Sequence, residues 1–65
     1  MKKQEYREAL RLLGMTQEGA AAFMDASPRT GQNWALGKTR IPGSVARLLR
    51  LMLMLELRPK DVPEP

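Results

Sequence analysis

Residues 16–37 read TQEGAAAFMDASPRTGQNWALG, and this stretch specifies two short helices joined by a tight turn. Thr16 ahead of Gln17 and Glu18 is a helix start, because its hydroxyl can accept a free amide hydrogen of the first turn. Ala20, Ala21, Phe23 and Met24 supply an apolar face, so a helix is predicted over 17–24. The pattern breaks at Asp25-Ala26 and restarts at Ser27-Pro28. There Ser is the cap and Pro takes the first helical position, where its fixed φ fits and its missing N–H costs nothing. A second helix is predicted over 28–36. Gly37 stops it, since glycine takes φ > 0 without a Cβ clash. Helix, turn of about three residues, helix is the helix-turn-helix arrangement, whose second helix can lie in the major groove of DNA.

On a helical wheel, Arg29, Gln32 and Asn33 cluster on one side of the second helix, flanked by Pro28 and Leu36. Gly31, Trp34 and Ala35 lie nearer the opposite side. The first face suits bases: Arg can chelate guanine O6 and N7, and Asn or Gln can pair with adenine N6 and N7. Trp34 is the only tryptophan. Its helical neighbours on that side are small and the domain needs bulk, so it is expected in the core. The row of alanines at 20–22 lets another helix approach closely.

Upstream, Tyr6, Ala9, Leu10 and Leu13 recur at three- and four-residue spacing, which predicts a first helix over 3–13 that ends at Gly14. Downstream, residues 37–43 form a loop by composition. Lys38, Thr39 and Arg40 follow directly on the predicted reading helix and are suited to backbone phosphates, which set affinity and register but carry no sequence information. Ser44 is read as the cap of a last helix over 45–57, and residues 59–65 as a frayed Pro-rich tail. In the first half of that helix Val45, Leu48, Leu49 and Met52 form one stripe for the core. From Leu51 onward apolar residues cover nearly every direction, with Glu56 the only polar one. A helix apolar all round must be covered all round, and so short a chain cannot surround its own last helix. Leu51, Met52, Met54, Leu55 and Leu57 are therefore expected to form a dimer contact with the same helix of a second copy.

The chain of 65 residues has room for one small domain with a modest core. It lacks Cys and His, which excludes disulfides, the usual zinc ligand sets and cysteine or histidine catalysis. No enzymatic activity, cofactor, metal or small-molecule ligand is expected. The N-terminus carries charges where a signal peptide needs apolar residues. The apolar run 48–57 is too short for a membrane span and contains Arg50 and Glu56, so no membrane partner is expected. The net charge is +4. In residues 1–25 the cations Lys2, Lys3, Arg7 and Arg11 are balanced by Glu5, Glu8, Glu18 and Asp25. Residues 26–55 carry Arg29, Lys38, Arg40, Arg47 and Arg50 and no acid, a zone that a phosphate backbone would select.

The run Leu13-Gly14, Gln17, Ala21, Ser27, Thr30, Trp34, Gly37-Lys38-Thr39 and Pro42 resembles the helix-turn-helix domain of the Cro/C1-type (Xre) phage repressor family, over roughly residues 4–57. The resemblance implies an all-α, four-helix domain of the lambda-repressor-like type over residues 1–58, with its dimerisation helix at about 44–57. It implies that Gln17 contacts the DNA backbone and a base edge, that Pro28, Arg29, Gln32 and Asn33 read bases, and that Lys38, Thr39 and Arg40 hold phosphates. Ser27 and Thr30 are expected to bind phosphate or base edges near the helix start. Two positions depart from the family pattern: Gly31 replaces a Val or Ile that packs between the helices, and Ala20 a common Leu. Phe23 and Trp34 are the side chains available to fill that space. The family also has a fifth helix, whereas the fourth is expected here to run on into the tail.

With no second domain in these residues, the chain resembles minimal phage or plasmid regulators, including those that accompany anti-CRISPR genes. The expected function is a sequence-specific, dimeric transcriptional repressor of its own operon, cytoplasmic in a bacterial cell or phage-infected host, which binds an inverted repeat in double-stranded DNA. The competing expectation is a protein-interaction module, an antitoxin or adaptor, that uses the apolar last helix.

Overall fold

In the computed structural model, which describes residues 1–65, the domain is all-α, and its helices share one way of ending. The four are α1 (Lys3–Leu13), α2 (Gln17–Phe23), α3 (Pro28–Leu36) and α4 (Gly43–Met54). After each, one residue adopts a left-handed conformation: Gly14 (φ 71°), Asp25 (φ 56°), Gly37 (φ 75°) and Glu56 (φ 56°). The chain then makes paired reverse hydrogen bonds. Gly14 N–H donates to Arg11 O and Met15 N–H to Leu10 O, and the same pair recurs at Asp25/Ala26, Gly37/Lys38 and Glu56/Leu57. These satisfy carbonyls that the helix end would otherwise orphan.

The starts of α2 and α3 follow the side-chain chemistry of their caps. Thr16 Oγ1 accepts from Gly19 N–H at 2.9 Å, and Ser27 Oγ accepts from Thr30 N–H at 3.2 Å. α4 differs from its expected bounds at both ends. It begins at Gly43 after Pro42, with no side-chain cap, so Ser44 lies inside the helix. It stops at Met54 rather than running to Leu57, because Glu56 turns the chain.

Two of the residues assigned to a dimer contact belong instead to this domain's own packing. Met52 is 0% exposed, on the core stripe with Val45 and Leu49. Leu57 is turned back by its N–H bond to Met52 O and packs half-buried against the domain's own core. The tail, expected to be frayed, is held over its first residues, up to Val62. Pro59–Asp61 form one 3₁₀ turn, Arg58 N–H donates to the Asp61 carboxylate at 2.9 Å, and Val62 packs against the core.

The core is built from Tyr6, Ala9, Leu10 and Leu13 of α1, Ala20 of α2, Trp34 and Ala35 of α3, Ile41 of the loop, and Val45, Leu49 and Met52 of α4. Tyr6 and Trp34 meet edge to face with ring centroids 6.1 Å apart, an arrangement worth about 0.5–1.5 kcal/mol beyond area burial. No helix is long and apolar enough to cross a membrane.

Gly31 is not a gap to be filled by Phe23 or Trp34. α2 and α3 approach so closely there that a Cβ on Gly31 would stand 2.6 Å from Ala21 Cβ and 3.4 Å from Gln17 O. The alanine face of α2 and the glycine of α3 are thus one packing device, and it sets how the two helices cross.

The Tyr6 hydroxyl is buried without a hydrogen-bond partner, and burial pushes its phenol above the ordinary value of 10.0. An unsatisfied buried hydroxyl adds nothing to stability. Tyr6→Phe is expected to leave stability at pH 7 unchanged or to raise it by up to about 1 kcal/mol in urea melts. Because the folded-state value is raised, the unfolded chain ionises first. Wild-type stability therefore falls as pH rises above 10, and the variant should lack that part of the alkaline loss. A large loss for Tyr6→Phe at pH 7 would show that the hydroxyl has a partner.

Candidate functional site

α3 is held by its buried face and leaves its polar face free. Gly31, Trp34 and Ala35 are buried, while Pro28, Arg29 and Gln32 are exposed and Asn33 is half-buried. Arg7 of α1 fixes the far end of the helix: its Nε–H donates to Ala35 O at 2.7 Å. A cation at a helix C-terminus is also favoured by the helix dipole. Arg7 is thus engaged in positioning α3.

Gln17, Pro28, Arg29, Gln32, Asn33 and Lys38 come together around one groove of about 350 Å³ between the start of α2 and the outer face of α3. All four residues expected to read bases are in it, joined by Gln17 from α2 and Lys38 from beyond Gly37. The lining has no apolar side chain except the proline ring. It offers the Arg29 guanidinium fork, two side-chain amides from α3 and one from α2, an arrangement of donors and acceptors that matches base edges. Ser27 and Thr30 lie outside this lining, and their hydroxyls bond to each other at 2.8 Å. The Ser27 oxygen also accepts the Thr30 amide, so it serves first as the helix cap.

Sequence reading missed Glu18, which also lines the groove. Its carboxylate is the one acceptor-only group there and is a match for the cytosine amino group. Its position beside Gln17 at the start of a helix was visible in the sequence, but a carboxylate at that place is also the ordinary partner of the helix dipole.

Thr39 and Arg40 line a separate cleft of about 370 Å³, together with Lys2, Lys3 and Lys38. The balance of charge counted along residues 1–25 does not hold in space. Glu5 pairs with Arg50 of α4 at 3.2 Å, and Glu8 pairs with Arg11. The Arg50 guanidinium holds the Glu5 carboxyl below its ordinary value, and Arg11 does the same for Glu8. Lys2 and Lys3 are left without an acidic partner.

Of the residues assigned to a dimer contact, Leu51, Met54 and Leu55 are exposed, at 44%, 73% and 56%. Leu12 of α1 is a further exposed leucine, which sequence reading did not assign. No group of His, Cys, Asp or Glu side chains is placed to hold a metal ion. No protein-family model, curated protein or solved structure significantly matches the chain.

Proposed function

We propose that this protein is a sequence-specific DNA-binding regulator that acts as a dimer, a repressor of its own operon. The observation that carries the reading is the groove in which Gln17, Pro28, Arg29, Gln32, Asn33 and Lys38 meet on the outer face of a helix whose inner face is core. Neither a core nor a partner helix needs a face of that composition, whereas base edges do. The fold supports it: α2, the turn after it and α3 form a helix-turn-helix, and α3 stands on the surface. Arg29 is the main base reader. Gln32 and Asn33 share the half-site, Gln17 and Pro28 set the approach, and Lys38, Thr39 and Arg40 hold phosphates.

The exposed Leu51, Met54 and Leu55 form the contact between two copies. A two-fold contact needs only one self-complementary patch, and it would place two α3 helices on half-sites about 34–36 Å apart. Leu51→Glu combined with Leu55→Glu is expected to convert a dimer to a folded monomer, read by light scattering during size-exclusion chromatography and by circular dichroism. A wild-type chain that is monomeric, or that aggregates until a different protein binds it, would favour the reading in which this surface serves an unlike partner.

The reading is tested by selecting bound sequences from a random duplex pool. Enrichment of an inverted repeat with centres about 10–10.5 base pairs apart, or a multiple of that, is expected. A pool that stays random after selection would contradict it.

A further inference from the structure

We propose that Lys2 and Lys3, at the start of α1, enlarge the phosphate site of the α3–α4 loop across the cleft they share with it, and grip the backbone of the same DNA duplex that α3 reads. The inference rests on the DNA-binding reading and extends the interface to an element that the reading does not use.

Lys2, Lys3, Lys38 and Arg40 converge on this cleft from two separate segments of chain, with the Thr39 hydroxyl between them. None of the four cations forms an ion pair, and no carboxylate lines the cleft. The acids nearest in sequence are occupied elsewhere, Glu5 by Arg50 and Glu8 by Arg11. Four converging cations without a counter-charge repel one another, and an anion that bridges them relieves that repulsion.

The cleft is also shaped by packing. Its inner wall includes Trp34 and Ile41, both buried, and Gly37. The aliphatic stem of Lys3 lies on Gly37, with its Cδ 2.8 Å from the point where a Cβ would stand. The glycine that ends α3 therefore also makes room for the Lys3 stem, which is laid along a surface while its ammonium stays free. Lys38 lines both this cleft and the reading groove. A strand whose bases are read by α3 would pass over Lys38 and reach Lys2 and Lys3 next. Ammonium groups are compact point charges suited to phosphate oxygens, and they would add affinity without sequence preference.

The test is fluorescence anisotropy with a labelled random-sequence duplex over a series of salt concentrations. Each phosphate neutralised contributes about 0.9 to the slope of log K against log salt. Lys2→Ala is expected to lower that slope by about one and Lys2→Ala with Lys3→Ala by about two, while Lys2→Arg with Lys3→Arg keeps it. The Lys2 side chain makes no hydrogen bond or ion pair in the structure, so the single variant is expected to fold as wild type even if Lys3→Ala disturbs the packing on Gly37. Wild-type binding with an unchanged slope for Lys2→Ala would overturn the proposal and leave the DNA-binding reading standing. A wild-type chain with no salt-dependent binding to any duplex would overturn both.

Discussion

Gly31→Val is expected to destabilise the domain by about 3 kcal/mol, the upper end of the usual cost of overpacking. The first carbon added would stand 2.6 Å from Ala21 Cβ, an atom fixed directly to the backbone of α2, so no side-chain rotation relieves the clash. The same carbon would stand 3.4 Å from both Ala21 Cα and Gln17 O, and valine adds two more carbons to it. Intrinsic helix propensity favours valine over glycine by only a few tenths of a kcal/mol, which does not offset this. A domain of this size has a total stability on the order of 3–10 kcal/mol, so the loss is a large part of the whole. At roughly 4–8 °C per kcal/mol, Tm is expected to fall by more than about 10 °C. Gly31→Ala should show a smaller loss, and Gly31→Ala with Ala21→Gly should recover most of it by returning the missing volume from the other helix. A Gly31→Val variant as stable as wild type would mean that α2 and α3 do not meet at this point. The same clash reaches function, because α2 carries Gln17 and α3 carries Arg29, and separating the helices opens the groove they share.

Arg29→Ala is expected to cost roughly 1–3 kcal/mol on the preferred DNA site, about a 5- to 150-fold loss, with a much smaller effect on random DNA. The guanidinium is exposed at the groove without an ion pair, so truncating it should leave Tm and the oligomeric state unchanged. Lys38→Ala gives the contrasting result: it should weaken specific and random DNA about equally and lower the salt slope by roughly one. If Arg29→Ala also weakened both DNAs equally, Arg29 would be a phosphate contact and another residue of the groove would have to read bases.

The helix bounds were legible in the sequence to different degrees. The bounds of α1 and α3, and the start of α2, could be read because Thr16, Ser27-Pro28, Gly14 and Gly37 carry the chemistry of starts and stops in their side chains or in the lack of one. The end of α4 could not, since Glu56 makes the same left-handed turn with a side chain that ordinarily favours a helix. Misplacing that end assigned Leu57 to a second copy, when it folds back on its own domain. Met52 fitted both the core stripe and the all-round apolar run, and only its burial decides between them. Gly31 looked like a hole because sequence shows volumes but not the distance between helices. The polar face of α3 was visible on a helical wheel, whereas the charges of α1 were not. The count along residues 1–25 balanced four cations against four acids as a group, whereas the fold pairs Glu5 with Arg50 from outside that stretch and Glu8 with Arg11, and leaves Lys2 and Lys3 without a partner.

The most direct measurement is a titration of the purified chain, its mass fixed by light scattering on the same sample, onto duplex DNA from the region upstream of its own gene and onto a scrambled duplex at about 150 mM salt. A dimer that prefers the upstream DNA by a factor of about 10³ or more is the expected result. Equal binding to both duplexes, or none to either, would contradict base reading by α3.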